Sequence, residues 1–243
     1  MDQFHGRTEV LADPQTLARH AAQWMTATAL AAGTPCRIAL SGGSTPKALY
    51  ALLASDEFRS RFPWEKCEWY WGDERFVPYD HPESNYRMTR EAMLSKVPVP
   101  ADKIFPMPAD GTPEEAALRY EQMLQKAYGG RVIDRARPLF DIQLLGMGDD
   151  GHTASLLPDD PALEEQNRWV LAIAHGRPEV RITMTLPVIE SSRHVVFLLA
   201  GQAKAARFAE IRAGGAVVPA ARVNPVGELL WFLDRAAASG ALP

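Results

Sequence analysis

The sequence predicts an α/β fold, a layered Rossmann-like arrangement around a mostly parallel central sheet. Three observations lead there. Short apolar runs of strand length alternate with longer amphipathic segments along the chain, the pattern of strands joined by helical crossovers. Polar, glycine-rich segments follow several of these runs directly, and ligands in such folds bind beyond the carboxyl ends of the strands. The chain has 243 residues and is 47% hydrophobic, enough for one good-sized core. No internal repeat is evident, and residues 1–243 read as a single domain.

Each element has its own signal. Residues 8–11 read as a short strand. Asp13 can cap a helix that starts at Pro14 and runs to about Ala32, with Leu17, Ala21, Trp24 and Met25 near one face. Gly33 and Pro35 end it. Residues 37–40 form a compact strand that leads into Ser41-Gly42-Gly43-Ser44-Thr45-Pro46. Leu49, Leu52 and Leu53 are spaced for packing in the helix that follows. Residues 68–71 are a strand ending at Gly72-Asp73-Glu74-Arg75. Residues 78–82 make a loop and 83–94 a helix. A short strand near Ile104 precedes a helix over 113–128, which Gly129 and Gly130 terminate. Strands are expected over 141–145, 170–173, 181–186 and 195–199. Helices are expected over 202–212 and 228–238.

Composition narrows the function classes. Twenty-six Lys and Arg stand against 30 Asp and Glu, for a formal charge of −4. That balance argues against a broad nucleic-acid-binding face but leaves room for a small basic pocket. No apolar run approaches a membrane span, and the first residues carry no secretory pattern, so a cytoplasmic location is expected. Cys36 and Cys67 are the only cysteines. They are expected to be buried thiols, with no metal-ligand spacing.

Two segments carry chemistry. Ser41 to Pro46 reads either as an ordinary strand-to-helix turn or as an anion cradle. In the second reading Gly42 and Gly43 allow close backbone approach, and Ser44 or Thr45 caps the helix. The hydroxyls and unpaired N–H groups then face a phosphate. It is neither a dinucleotide fingerprint nor a nucleotide-hydrolase phosphate loop, so no cofactor is implied. The second segment is Gly146-Met147-Gly148-Asp149-Asp150-Gly151-His152, delivered by an apolar strand. The reference pKa of an imidazole, about 6.5, suits proton abstraction near neutrality, and a carboxylate can orient the His152 ring. Asp150 is the better partner because a tight Asp-Gly-His turn brings the side chains together. Asp149 can face water instead. The other five histidines lack such a setting, although His81 lies in a polar loop after Asp73-Glu74-Arg75. No histidine pair has metal-ligand spacing, and three acids and imidazoles within four positions are weak support for a metal.

Weaker candidates surround these. Arg75 can bind phosphate or order the neighbouring acids. Asp73 can accept hydrogen bonds from sugar hydroxyls. Ser84-Asn85 can add polar contacts or cap the next helix. Arg181 and Lys204 each read as solvated when taken alone, but with Ser41 to Thr45 they suggest a bipartite anion clamp. Ser44 and Ser155 show no sign of an activated-serine triad. The six tryptophans read as packing.

Together these motifs resemble the 6-phosphogluconolactonase family. The series is Ser41 to Pro46, then Gly72-Asp73-Glu74-Arg75-Phe76-Val77-Pro78 with Ser84-Asn85. It continues with the stretch from Leu144 to Leu156, Arg181-Ile182-Thr183, Gly201-Gln202-Ala203-Lys204-Ala205, Pro219-Ala220, and the run from Gly227 to Asp234. The order spans nearly the whole chain. The resemblance implies hydrolysis of 6-phospho-D-glucono-1,5-lactone, the second step of the oxidative pentose phosphate pathway. It also implies a fold shared with glucosamine-6-phosphate deaminases and ribose-5-phosphate isomerases. His152 is then the general base, with Asp150 as its partner. By the same resemblance Ser41, Gly42, Gly43, Ser44, Thr45, Arg75, Arg181 and Lys204 surround the phosphorylated sugar lactone; Asp73 joins them as a substrate-binding candidate, and no metal or cofactor is expected. The protein is expected to be a monomer or small homo-oligomer.

The chain departs from the family pattern in two places. The run from Ala174 to Arg181 lacks the usual Lys-Pro-Pro-like segment, with Arg177 as a substitute cation or an exposed residue. Leu157-Pro158 replaces a commoner Phe-Pro. Two rival readings are a sugar-phosphate deaminase or isomerase and a non-catalytic sugar-phosphate sensor. The deaminase pattern has an Asn-Glu-Pro segment after the histidine, where this chain has Leu156-Leu157-Pro158-Asp159. A sensor usually carries a DNA-binding segment, and no helix-turn-helix is evident.

Overall fold

The computed structural model describes residues 6–174 and 178–240. The strands are β1 (Arg7–Leu11), β2 (Cys36–Leu40), β3 (Cys67–Trp71), β4 (Asp73–Arg75), β5 (Phe140–Leu145), β6 (Val170–Ile173), β7 (Arg181–Met184), β8 (Ser192–Leu199) and β9 (Glu228–Asp234). The helices are α1 (Pro14–Ala31), α2 (Ser44–Leu53), α3 (Asn85–Ala92), α4 (Pro113–Tyr128), α5 (Leu186–Glu190), α6 (Ala205–Arg212) and α7 (Pro219–Arg222).

Six strands form one parallel sheet in the order β1-β9-β8-β5-β2-β3. The strands that lead into the polar motifs, β8, β5, β2 and β3, are therefore consecutive neighbours. From β2 the chain moves outward to β3, and from β5 it moves the other way to β8. The crevice between the ends of β2 and β5 is the switch point where such sheets bind ligands.

A second, antiparallel sheet has the order β4-β7-β6. Asp73 to Arg75 thus form a strand where the sequence suggested only the end of one. Gly72 makes the break between β3 and β4: a Cβ there would meet Gln143 Nε2 at 2.9 Å. The same buried cluster runs through both sheets, from Ile38, Trp69 and Phe232 to Val170, Ile182 and Met184.

Local chemistry explains most of the elements. Asp13 accepts from Thr16 N at 2.7 Å and Pro14 opens α1, as read from the sequence. Thr112 and Glu115 form a capping box on α4, and Gly129 ends it at φ 76°. Ser84, not Asn85, caps α3. Cys36 and Cys67 face each other across β2 and β3, both buried, and this contact with burial pushes the Cys36 thiol up. Trp69, Trp71 and Trp231 are core residues.

Two expectations are corrected. Residues 228–234 form a strand, not the start of a helix. β9 lies between β1 and β8 with all but its first residue buried, so both faces are apolar and the alternation that marks a strand is missing. The strand starting at Arg181 stops at Met184, because Thr185 and Pro187 turn the chain into α5. Among the described residues no helix is long and apolar enough to cross a membrane.

Candidate active site

At the carboxyl ends of β2, β3, β5 and β8 the chain forms a cleft of about 280 Å³. Ser41, Gly42, Gly43, Ser44, Thr45, Asp73, Arg75, His152 and Lys204 all line it. A smaller recess of about 70 Å³ adjoins it, sharing Asp73, Arg75, His152 and Ala154 and adding Ser155 and Arg181. Asp150 lies behind His152. His175, Gly176 and Arg177, in the altered run before Arg181, fall outside the described residues.

The first wall is the turn from β2 into α2. Tyr50, fully buried on α2, grips Ser41 by both backbone groups: its hydroxyl accepts from Ser41 N at 3.0 Å and donates to Ser41 O at 2.8 Å. Gly43 takes φ 103° and is itself the N-cap, with no side chain capping α2. The helix therefore begins at Ser44, and neither Ser44 nor Thr45 serves as the cap. An uncapped N-terminus with a hydroxyl in its first turn keeps its N–H groups for an anion.

The second wall is the turn after β5. His152 Nδ1 lies 2.5 Å from Asp150 Oδ1, and the His152 backbone N–H donates to the same oxygen at 3.0 Å. The turn is closed by Gly148 N donating to His152 O at 2.9 Å and Gly151 N donating to Gly148 O at 3.0 Å. Gly151 sits at φ 86°, and a Cβ there would meet Val218 at 2.7 Å. A Cβ on Gly148 would fall 2.0 Å from His152 Nδ1 and 2.6 Å from Asp150 Oδ1. That glycine is the seat of the pair. Ala154, in both compartments, holds φ 49°, a left-handed conformation costly for a residue with a side chain.

The third wall is β4. Asp73 is buried, and its Oδ2 accepts from Ser155 Oγ at 2.8 Å. Glu74 points the other way into α3, accepting from the backbone N–H groups of Arg75, Asn85 and Tyr86 and from the Ser84 hydroxyl. Burial pushes its carboxyl up to about 7, against the pull of those hydrogen bonds. Asn85 Nδ2 donates to the Asp73 carbonyl at 3.0 Å. Asn85 packs so closely on the first wall that a Cβ on Gly42 would lie 2.0 Å from its Oδ1.

Among the described residues, three cations border the site. Arg75 Nη1 bonds Glu83 Oε2 at 2.8 Å, while its buried Nε has no partner among the described residues. Lys204 Nζ is 2.5 Å from Asp149 Oδ1, so Asp149 faces a lysine as well as water. Arg181 Nη2 is 3.5 Å from Glu179 Oε2. Among the described residues no group of three or more His, Cys, Asp or Glu side chains is placed to hold a metal ion.

Residues 12–231 match the family of glucosamine-6-phosphate isomerases/6-phosphogluconolactonase. The chain belongs to this family. The 6-phosphogluconolactonase of Synechocystis sp. is 46% identical over 210 residues, 85% of each chain. That of Nostoc sp. is 43% identical over 204 residues, 82% of each. The structure of 6-phosphogluconolactonase from Trypanosoma cruzi superposes with a TM-score of 0.84 at 30% identity, covering 100% of this chain and 99% of that one. A monomeric glucosamine-6-phosphate deaminase superposes with a TM-score of 0.80 at 20% identity, a likeness of fold alone.

Within this family frame, some groups of the site went unread in the sequence. Ser155 reads in the sequence as a serine without a triad, yet its hydroxyl holds Asp73 across 82 positions of chain. Glu74 gave no sign of being buried. Gly148 stands in the sequence as one of several glycines in that turn, with no sign of its contact with the His152 ring. Asn85 was read as a polar contact or cap, and it is the contact. Among the described residues His81 lines neither compartment; its Nδ1 accepts from Glu83 N and its carbonyl from Ser84 N.

Proposed function

We propose that the chain hydrolyses 6-phospho-D-glucono-1,5-lactone to 6-phospho-D-gluconate in the oxidative pentose phosphate pathway, as a carboxylic-ester hydrolase acting on a cyclic ester. Family membership and the relatives named above support the reaction. The observation that carries the mechanism is the 2.5 Å contact between His152 Nδ1 and Asp150 Oδ1 at the edge of the cleft. With Nδ1 held by the carboxylate, Nε2 is the ring nitrogen that takes the proton from water. His152 is thereby the general base and Asp150 its orienting partner.

The substrate phosphate is held by the N–H groups and hydroxyls of Ser41 to Thr45, with Arg75, Arg181 and Lys204 supplying positive charge. Asp73, steadied by Ser155, accepts from sugar hydroxyls. His152 Nε2 takes a proton from water as the water oxygen bonds to C1 of the lactone. The tetrahedral intermediate then expels the ring oxygen, which takes the proton from His152, and the new acid ionises. The scheme uses no metal, cofactor or covalent intermediate. All its residues come from one chain and one catalytic domain, so a monomer or a small homo-oligomer serves equally.

The test is proton release from freshly made 6-phosphogluconolactone with spontaneous hydrolysis subtracted. Wild type is expected to accelerate it strongly, His152→Gln to lose roughly 10²–10⁴ in kcat, and unphosphorylated gluconolactone to be a poor substrate. Folded wild-type protein that gives no acceleration overturns the lactonase reading. Ammonia released from glucosamine 6-phosphate would move the chain to the deaminases. A His152→Gln variant with normal turnover overturns the base assignment alone.

A further inference from the structure

Among the described residues, each cation bordering the cleft or its recess has a carboxylate partner from outside the lining. Glu83 holds Arg75 at 2.8 Å, Asp149 holds Lys204 at 2.5 Å, and Glu179 lies 3.5 Å from Arg181. None of the three acids lines the cleft or its recess. Glu83 and Asp149 have side chains 53% and 71% exposed. Ion pairs so open to water contribute little to stability. Their effect falls on the cations, whose positive charge they offset and whose side chains they fix.

That offset matters because the proposed reaction changes the charge of its ligand. The phosphomonoester of the lactone carries nearly two negative charges at neutral pH. Ring opening adds a carboxylate with an ordinary pKa far below neutrality, so the product carries one more. A cleft whose cations were uncompensated would bind product more tightly than substrate and clear slowly. We propose that Glu83 and Asp149 are product-release residues, each positioning one cleft cation and offsetting its charge so that the newly formed carboxylate is not retained. The inference rests on the lactonase reading.

The expected size follows from Coulomb's law. One unit charge roughly 7 Å from a carboxylate, in a water-like dielectric, changes affinity by about threefold. The measurement is the dissociation constant, at low ionic strength, of two ligands with the same phosphorylated chain: 6-phosphogluconate, and glucitol 6-phosphate, which has a hydroxymethyl group in place of the carboxylate. Their ratio isolates the carboxylate, since loss of side-chain order at Arg75 or Lys204 weakens the phosphate contacts of both.

In Glu83→Gln and in Asp149→Asn the preference for 6-phosphogluconate should rise about threefold over wild type, and about tenfold in the double variant. Asp149→Glu should restore the wild-type ratio. The gain should shrink as salt is raised through 0.15 M, where the screening length is about 8 Å. A ratio that is unchanged or lowered in both single variants overturns the proposal. Wild-type turnover of the lactone, measured alongside, separates the two failures: absent turnover sinks the lactonase reading, and an unmoved ratio with turnover intact sinks only this one.

Discussion

Replacing Gly148 with alanine puts a methyl carbon where the His152–Asp150 pair sits. The added Cβ would lie 2.0 Å from His152 Nδ1, 2.1 Å from Cε1 and 2.6 Å from Asp150 Oδ1. Gly148 does not hold a positive φ, so its backbone accepts alanine and the effect is one of contact alone. Carbon and nitrogen need roughly 3.4 Å, so the ring must retreat by about 1.4 Å or rotate off the carboxylate. Misplacing a catalytic group by about 1 Å can cost 10²-fold, and losing a general base costs roughly 10²–10⁴. Gly148→Ala should therefore lower kcat by at least about 10², while KM stays within about threefold because the α2 terminus is untouched. The assay is proton release with spontaneous hydrolysis subtracted. Because both changes disable one unit, Gly148→Ala with His152→Gln should be no worse than His152→Gln alone. A Gly148→Ala variant with near-normal kcat would refute the reasoning, since the pair could then work without the seat the glycine provides.

Three further perturbations test other parts of the framework. In Tyr50→Phe the buried N–H and carbonyl of Ser41 lose their shared partner, which should cost about 1–3 kcal/mol in urea denaturation and raise KM more than it lowers kcat; an unchanged midpoint would refute this. Glu74 has its carboxyl raised to about 7 in the folded chain from an ordinary 4.5, so the folded state binds that proton more tightly. Its contribution to stability is complete below pH 4.5, is lost as pH rises to 7, and totals roughly 3 kcal/mol. Wild type minus Glu74→Gln, measured by denaturation across that window, should show this decline, and parallel profiles would sink it. Gly227→Ala would set a Cβ 2.0 Å from the Arg193 carbonyl oxygen and 2.6 Å from its carbon. Backbone cannot swing aside as a side chain can, so a loss of about 3 kcal/mol is expected at the start of β9, read as a lowered Tm.

The motifs readable in the sequence are those whose chemistry is contiguous in the chain. Asp150 and His152 are two positions apart, so a single tight turn suffices to join them. Ser41 to Thr45 lie on one strand-to-helix turn, and the glycines there declare a close approach. What sequence could not supply is chemistry that depends on a partner brought from elsewhere. Ser155 means little until β4 brings Asp73 to it, and Glu74 looks like any surface acid until α3 covers it. Gly148 carries no local signal because the clash that forbids a side chain comes from a ring four residues on. The misread strand has the same origin: β9 is apolar on both faces only because β1 and β8 flank it in a parallel sheet.

The sheet order then explains why unrelated stretches of chain assemble one site. β8, β5, β2 and β3 are adjacent and parallel, so whatever follows each of them emerges on the same edge. The lysine after β8, the Asp150–His152 turn after β5, the Ser41–Thr45 turn after β2 and the Asp-Glu-Arg strand after β3 are neighbours for that reason alone. Beyond that edge, the antiparallel strand β4 is what turns the edge into a cleft. Its pairing with β7 sets Arg75 opposite Arg181 and Asp73 opposite Thr183, and Thr183 Oγ1 accepts from Ser155 N at 3.3 Å. Ser155 in turn donates its hydroxyl to Asp73. The recess beside His152 is thus closed by a loop of contacts running from β4 through β7 to the acid-base turn and back. The parallel sheet supplies the His152–Asp150 pair and the Ser41–Thr45 turn, the proposed general base and anion cradle, and the small antiparallel sheet supplies the wall that faces them.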